Sequence, residues 1–221
     1  MIKYGNSDIA DVRLGSQQVA KVYHGDDLVW EKDDGFYVFP NSSAKLTSNN
    51  SLGFVCNQSQ SNNYKDAWYC FDDDPGTAYC GVWDGSTMTH DVIIVFPFSV
   101  TVESITISQK EVGYSTQAGI NAGKIYVNTA AKTKTSDSGW TEWCALSRGS
   151  GAAAGTDTVS TTHYPSASYS LTDPVRSIRV RGTSWGVNGT TKYGHIICGI
   201  TIRYTADPTA VEAWKAQYGI N

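Results

Sequence analysis

Excess positive charge is missing from this sequence. Over 221 residues, 17 Lys and Arg stand against 21 Asp and Glu, a net charge of -4. A nucleic-acid-binding surface carries a basic stripe, so the composition argues against that partner. Long apolar runs are missing too. The longest, Val-Ile-Ile-Val-Phe-Pro-Phe at 92–98, falls far short of the about 20 residues that cross a bilayer as a helix, so no membrane insertion is expected. The five cysteines (Cys56, Cys70, Cys80, Cys144, Cys198) are odd in number and lack paired metal spacing. They read as reduced, mostly buried thiols of a protein made in a cytoplasm, with a Cys70–Cys80 bridge left open. His24, His90, His163 and His195 are scattered, without metal-ligand spacing. Gly-x-Ser-x-Gly, His-Glu-x-x-His and phosphate-loop motifs are absent. The start, MIKYGNSDIADVR, has no basic stretch followed by an apolar one, so no secretory signal is expected. No motif marks catalysis, and the chain reads as non-enzymatic.

What is present is aromatic and weakly charged: 12% aromatic residues against 17% charged. Ser, Thr, Asn and Gly supply most of the remaining polarity. This is the profile of a β-rich extracellular or particle-surface protein. Residues 9–19 (IADVRLGSQQV) and 19–29 (VAKVYHGDDLV) repeat each other, with Gly15 matching Gly25 and Val12 matching Val22. Each copy alternates apolar residues around Gly-Ser or Gly-Asp, the pattern of strand, tight turn, strand. A ribbon this short cannot fold unaided, so it rests on the rest of the chain, on copies of itself, or on another protein.

Three regions follow: a β-ribbon over 1–32, an all-β domain over 33–206 and a helical tail over 207–221. Expected strands lie at Gly35–Phe39, Asp91–Phe96, Ser99–Gln109, Gly123–Asn128, Ser168–Leu171, Val175–Gly182 and His195–Thr205. The loops are placed at 41–63, 147–162 and 183–194. Ile178 and Val180 face one way, and Arg179 and Arg181 the other. The turn-separated strands predict an antiparallel sandwich. In the tail, Asp207 caps a helix with Pro208 at its first position, Val211, Trp214 and Tyr218 on one face, and Gly219 at its stop. So short a helix needs packing, most simply on its own sandwich.

Residues 64–79 (YKDAWYCFDDDPGTAY) resemble the early signature of discoidin domains, also called coagulation-factor C-type or galactose-binding-like domains. DVIIVF at 91–96 with VESITI at 102–107, KIYVN at 124–128 followed by SDSG at 136–139 and Trp143, and VRSIRV at 175–180 with GITI at 199–202 follow in that family's order. The resemblance spans roughly 40–205. It implies a jelly-roll sandwich whose loops at one end bind ligands, often sugars. It also implies a structural Ca2+ in the acidic loop, held by Asp72, Asp74 and Thr77. Gly199 stands where such sites often add a Glu. The other reading of that loop is an acidic turn whose carboxylates bond local N–H groups.

Residues 19–30 (VAKVYHGDDLVW) are similar to short modules near the N-termini of tailed-phage structural proteins. The two resemblances together imply a virion component assembled in the host cytoplasm. Residues 1–32 would join other virion proteins or sister copies, a homotrimer among the options, and the sandwich would face outward. Sugars stack on exposed aromatic rings with polar groups beside them. The candidates in turn-rich stretches are Trp83 with Asp84, Tyr114, and Trp185 with Asn188. Trp143 is expected in the core by family position, and Trp68 is expected there because tryptophan buries deeply. TSDSGWTEW at 135–143 reads as turn chemistry rather than a sialidase Asp-box, which it misses by one residue. The competing function is structural: a head-decoration, tail-ring or fibre-adaptor module whose loops, Trp83 and Trp185 included, contact other virion proteins.

Overall fold

The computed structural model describes residues 3–4, 7–8, 13–14, 17–18, 21–24, 27–31, 35–58, 66–74, 76–77, 79–80, 90–110, 120–134, 136–147, 158–185, 187–188, 191–192 and 196–220. The chain divides into two units, Met1–Phe36 and Tyr37–Asn221.

In the first unit, β1 (Lys3–Tyr4) pairs β2 (Ser7–Asp8), β3 (Arg13–Leu14) pairs β4 (Gln17–Gln18), and β5 (Lys21–His24) pairs β6 (Asp27–Glu31), all antiparallel. The two hairpins read from the repeat are joined by a third. Tyr4 faces Ser7 as Leu14 faces Gln17 and His24 faces Asp27. Two residues link the strands each time: Gly5-Asn6, Gly15-Ser16 and Gly25-Asp26. The period is therefore ten, and it begins before the copy the repeat suggests.

The second unit contains β7 (Tyr37–Phe39), β8 (Asn50–Ser51), β9 (Phe54–Gln58), a five-residue 3-10 helix (Ala67–Phe71) and β10 (Tyr79–Cys80). Next come β11 (His90–Lys110), β12 (Ile120–Asn128), β13 (Thr141–Ser147) and β14 (Thr158–His163). The last elements are β15 (Val175–Trp185), β16 (Val187–Asn188), β17 (Thr191–Lys192), β18 (Ile196–Ala206) and the helix α1 (Pro208–Tyr218). Every pairing is antiparallel, and the expected sandwich is present.

One strand builds both layers. Residues 92–95 of β11 pair β9 on one side and β15 on the other, extending through β12 to β13. Residues 100–109 of the same strand pair β18, and 105–110 pair β14. β7 and β10 lie along the free side of β18. The crossing falls between Val95 and Val100, where the register against β15 breaks. Pro97 sits in that gap, so its missing N–H disrupts no ladder bond. The two strands expected at 91–96 and 99–109 are thus one strand bent from sheet to sheet.

Between the sheets lie Phe54, Val92, Ile94, Phe96, Ile125, Val127, Trp143, Ile178 and Val180, facing Val100, Ile105, Ile107, Ile200, Ile202 and Tyr204. Phe39 stacks on Phe54 at 4.1 Å. Helix α1 closes the end where β11 crosses. Asp207 accepts from Thr209 N at 2.9 Å, and Gly219 ends the helix at φ 66. Val211 and Trp214 are buried, and Trp214 Nε1 donates to Leu52 O at 2.6 Å.

Four local expectations are corrected. Ser168–Leu171 is not a strand: Tyr169 and Leu171 pack against the core from irregular chain, and alternation alone cannot separate the two. The expected loops at 41–63 and 147–162 contain β9 and β14. The expected loop at 183–194 gives residues 183–185 to β15 and holds the β16–β17 pair.

Candidate functional site

The registers sort the strand ends. His90 faces Gly182, Ile120 faces Trp185, Ser147 faces Ala122, and Gln58 faces Val92, so these residues share one end of the first sheet. In the second sheet, Lys110 faces Thr158, Gln109 faces Ile197, and Cys80 faces Ile196. Because β11 crosses between sheets at the far end, these two ends lie together. The strand ends flanking 81–89, 111–119 and 148–157, and the start of β18 at Ile196, all belong to this end.

Trp83, Asp84 and Tyr114 themselves lie outside the described residues. Trp185 and Asn188 are described in backbone only. Both differ from the turn-rich loop expected for them: Trp185 is the last residue of β15, and Asn188 sits on β16 opposite Thr191. Strand pairing with Ile120 carries β15 further than its Gly-Thr-Ser-Trp composition suggests.

The acidic loop borders the same end. It follows the 3-10 helix, whose Cys70 Sγ lies 3.9 Å from Ile197 O, and it leads into β10. Asp72 is buried. Its Oδ2 accepts from Thr77 Oγ1 at 2.5 Å and its Oδ1 from Asp74 N at 3.1 Å. Thr77 Oγ1 also lies 3.0 Å from Asp74 O, while Asp74 Oδ1 accepts from Gly76 N at 2.7 Å. The turn reading is therefore realised in its local hydrogen bonds. The same geometry gathers three hard oxygens, Asp72 Oδ2, Thr77 Oγ1 and Asp74 O, which fit Ca2+ in kind although that ion takes six to eight. The Asp74 carboxylate points elsewhere, to Gly76 N. No group of three or more His, Cys, Asp or Glu suited to a metal occurs among the described residues.

Beside this loop is a cleft of about 290 Å3 on the outer face of the second sheet, lined by Pro40, Asp73, Asp74, Ser108, Ser160 and Thr201 among others. Sequence reading missed it. Its floor is a cross-strand hydroxyl pair, Ser108 and Ser160 at 2.8 Å, with Thr106 and Thr162 at 2.9 Å one row below. The signal was the Thr/Ser alternation of 104–108 and 158–162, which carries no position for the partner strand.

The outer face of the first sheet is covered around Arg179, while Lys124 and Glu142 on the same sheet stay exposed. Arg179 points outward as expected, but it is 5% exposed. Its guanidinium lies 4.2 Å from the Tyr126 ring and 4.7 Å from the Trp140 ring. The 129–140 connection covers this part of the face. Ser177 Oγ donates to Ala130 O and accepts from Lys132 N, and Asn57 Nδ2 donates to Thr133 O. Trp143 is in the core, as expected, whereas Trp68 is half-buried, packed on the core and stacked on Tyr69 at 4.0 Å. Cys56, Cys70, Cys144 and Cys198 are buried, as the reading of the cysteines expects, while the Cys80 side chain lies outside the described residues.

No protein-family model and no curated protein matches the sequence. Solved structures are similar in fold. One is the family 32 carbohydrate-binding module of Clostridium perfringens NanJ, solved in complex with galactose; identity is 11%, covering 76% of this chain and 98% of that one, with TM-score 0.49. A second is the C-terminal domain of a Bacteroides fragilis chitobiase, 15% identical over 78% of this chain and 95% of that one, TM-score 0.46. A third is the serum fucolectin of striped bass, Morone saxatilis, 14% identical over 71% of this chain and 48% of that one, TM-score 0.44. At these scores the strand registers, and not the likenesses, carry the assignment: an antiparallel β-sandwich with a C-terminal helix.

Proposed function

We propose that this chain is a non-enzymatic component of a tailed-phage particle that displays a glycan-binding sandwich. Residues 1–32 attach it to other virion proteins or to sister copies, and the open end of the sandwich engages host-surface or environmental glycan. One observation carries the glycan part. The strand ends flanking the segments that hold Trp83, Asp84 and Tyr114 meet at a single end of the sandwich, where β15 also ends at Trp185, three residues before Asn188. Aromatic faces beside polar groups suit sugar C–H faces and hydroxyls, and aromatics supply large contact area. The virion part rests on the resemblance of residues 19–30. A Ca2+ ion at Asp72, Thr77 and Asp74 belongs to the same proposal, as a brace for the loop beside that end, supported by the three converging oxygens. Weak single-site binding gains strength when many copies act together.

A glycan array probed with the full chain tests the reading. Binding to host polysaccharide is expected, and it is lost in Trp83→Ala or Trp185→Ala while the melting temperature holds. Uniform negatives, with tight binding to a purified virion protein instead, would establish the adaptor role in its place. Calorimetric titration of chelated protein with Ca2+ decides the ion: no heat and no change in melting temperature removes it.

A further inference from the structure

We infer that the N-terminal hairpins bind one another across identical copies of this chain, one ten-residue unit against the matching unit, to make a homo-oligomer. This deepens the attachment reading of residues 1–32 by naming the partner.

The argument begins with size. Met1–Phe36 forms one compact unit and Tyr37–Asn221 another. Chains below about 40 residues usually need disulfides, metals or oligomerisation to hold a fold. Residues 1–36 contain no cysteine and a single histidine, His24. A disulfide within it and a Cys/His zinc set are therefore excluded, and the unit needs another surface to rest on.

The ladders point the same way. β1–β2 and β3–β4 have two residue pairs each, and β5–β6 has four. Among the described residues no ladder joins one hairpin to the next. Strand edges left unpaired in this way are templates for another chain.

The repeat selects the partner. Ile2, Val12 and Val22 recur at intervals of ten, as do Gly5, Gly15 and Gly25, and Ile9, Val19 and Val29. A foreign surface would have to present three equivalent sites at the same spacing. A second copy of the ribbon has that spacing by construction, so every unit meets its own equivalent and a symmetric arrangement closes. Charge does not oppose this contact. Lys3 faces Asp8 and Lys21 faces Glu31 across their hairpins, so opposite signs are interspersed rather than gathered.

The test is light scattering on the intact chain over a dilution series. The expected mass is a multiple of 24.0 kDa, two or greater. Val12→Asp with Val22→Asp should return 24.0 kDa particles whose sandwich melts at the parent temperature. Deleting residues 12–21 removes one whole period and keeps the remaining units in phase. It should preserve the multiple and raise the dissociation midpoint by about tenfold or more, the effect of roughly 1.4 kcal/mol. An intact chain that stays at 24.0 kDa at every concentration overturns the inference, as does a deletion that leaves the midpoint unchanged. A monomer that still enters particles would sink this inference and leave the virion attachment reading standing.

Discussion

Replacing Asp91 with Ala should cost the sandwich far more than loss of a surface ion pair. Asp91 is 2% exposed, on the outer face of the first sheet near its open end. Arg181 donates to it twice, Nε to Oδ1 at 2.7 Å and Nη2 to Oδ2 at 2.8 Å. Arg179 Nε lies 3.8 Å from the same Oδ1. Burial holds the Arg179 guanidinium below its usual pKa, and the Arg181 charge adds to that. Arg181 is shifted the other way, chiefly by its hydrogen bond to Asp91. Without the carboxylate, two like charges lie side by side, one of them buried beneath Trp140. Breaking a buried pair in this way costs about 3–5 kcal/mol. For a domain of this size each kcal/mol is worth roughly 2–4 °C, so the melting temperature should fall by roughly 6–20 °C. Urea unfolding of the full chain, followed by tryptophan fluorescence, measures the loss directly. The triple variant Asp91→Leu, Arg179→Met, Arg181→Leu should regain most of it, since well-packed apolar replacements of buried ion pairs are often neutral. A loss below about 1 kcal/mol for Asp91→Ala, the range of an exposed pair, would refute the reasoning.

Gly123→Ala should also destabilise strongly. A Cβ there would collide with the Arg181 carbonyl oxygen, a backbone atom, and forced backbone shifts cost about 1–3 kcal/mol; chemical denaturation reads the change. Trp214→Ala should lose about 3–5 kcal/mol by removing the side chain that anchors α1 on Phe54, Phe98 and Leu52 O, and thermal melting with helix-sensitive circular dichroism will show it. Alkaline pH should weaken the fold through its buried thiols. Burial first, and then Glu142, pushes Cys144 up to about 12, and Cys56 is raised by burial as well. Both thiols keep their protons in the folded state after unfolded cysteine ionises near about 8.5. Their contribution is therefore full below about pH 8.5 and is lost progressively as pH rises towards about 12. Urea midpoints across that window should fall, and Cys144→Ala should flatten the slope.

Several parts of the fold were legible because their signals are local. Alternation at Ile178 and Val180 identified an inward face that the structure buries. The Asp207 cap, Pro208 and Gly219 set the bounds of α1 within a few residues of chain. Other elements were illegible because their stability comes from a distant strand. β14 is Thr-Val-Ser-Thr-Thr-His, with little apolar content, and it forms through six register pairs with β11. β9 lies among Ser and Asn and pairs residues 92–95 of β11. The acidic loop is the site whose internal bonds could be read from its own residues, and they are those of a turn.

The sequence by itself determined the class of the molecule. Its period-two apolar pattern demands sheets with one buried face, its Gly-centred repeat demands hairpins, and its capped tail demands a helix. These demands are met within ten or so residues, so no tertiary information is needed to state them. Only the tertiary structure decided that one bent strand serves both sheets, that Arg179 is covered by the 129–140 connection, and that the strand ends beside the candidate glycan residues meet at one end. Each of those depends on pairings between segments far apart in the chain, and such pairings are selected by the packing of the whole sandwich.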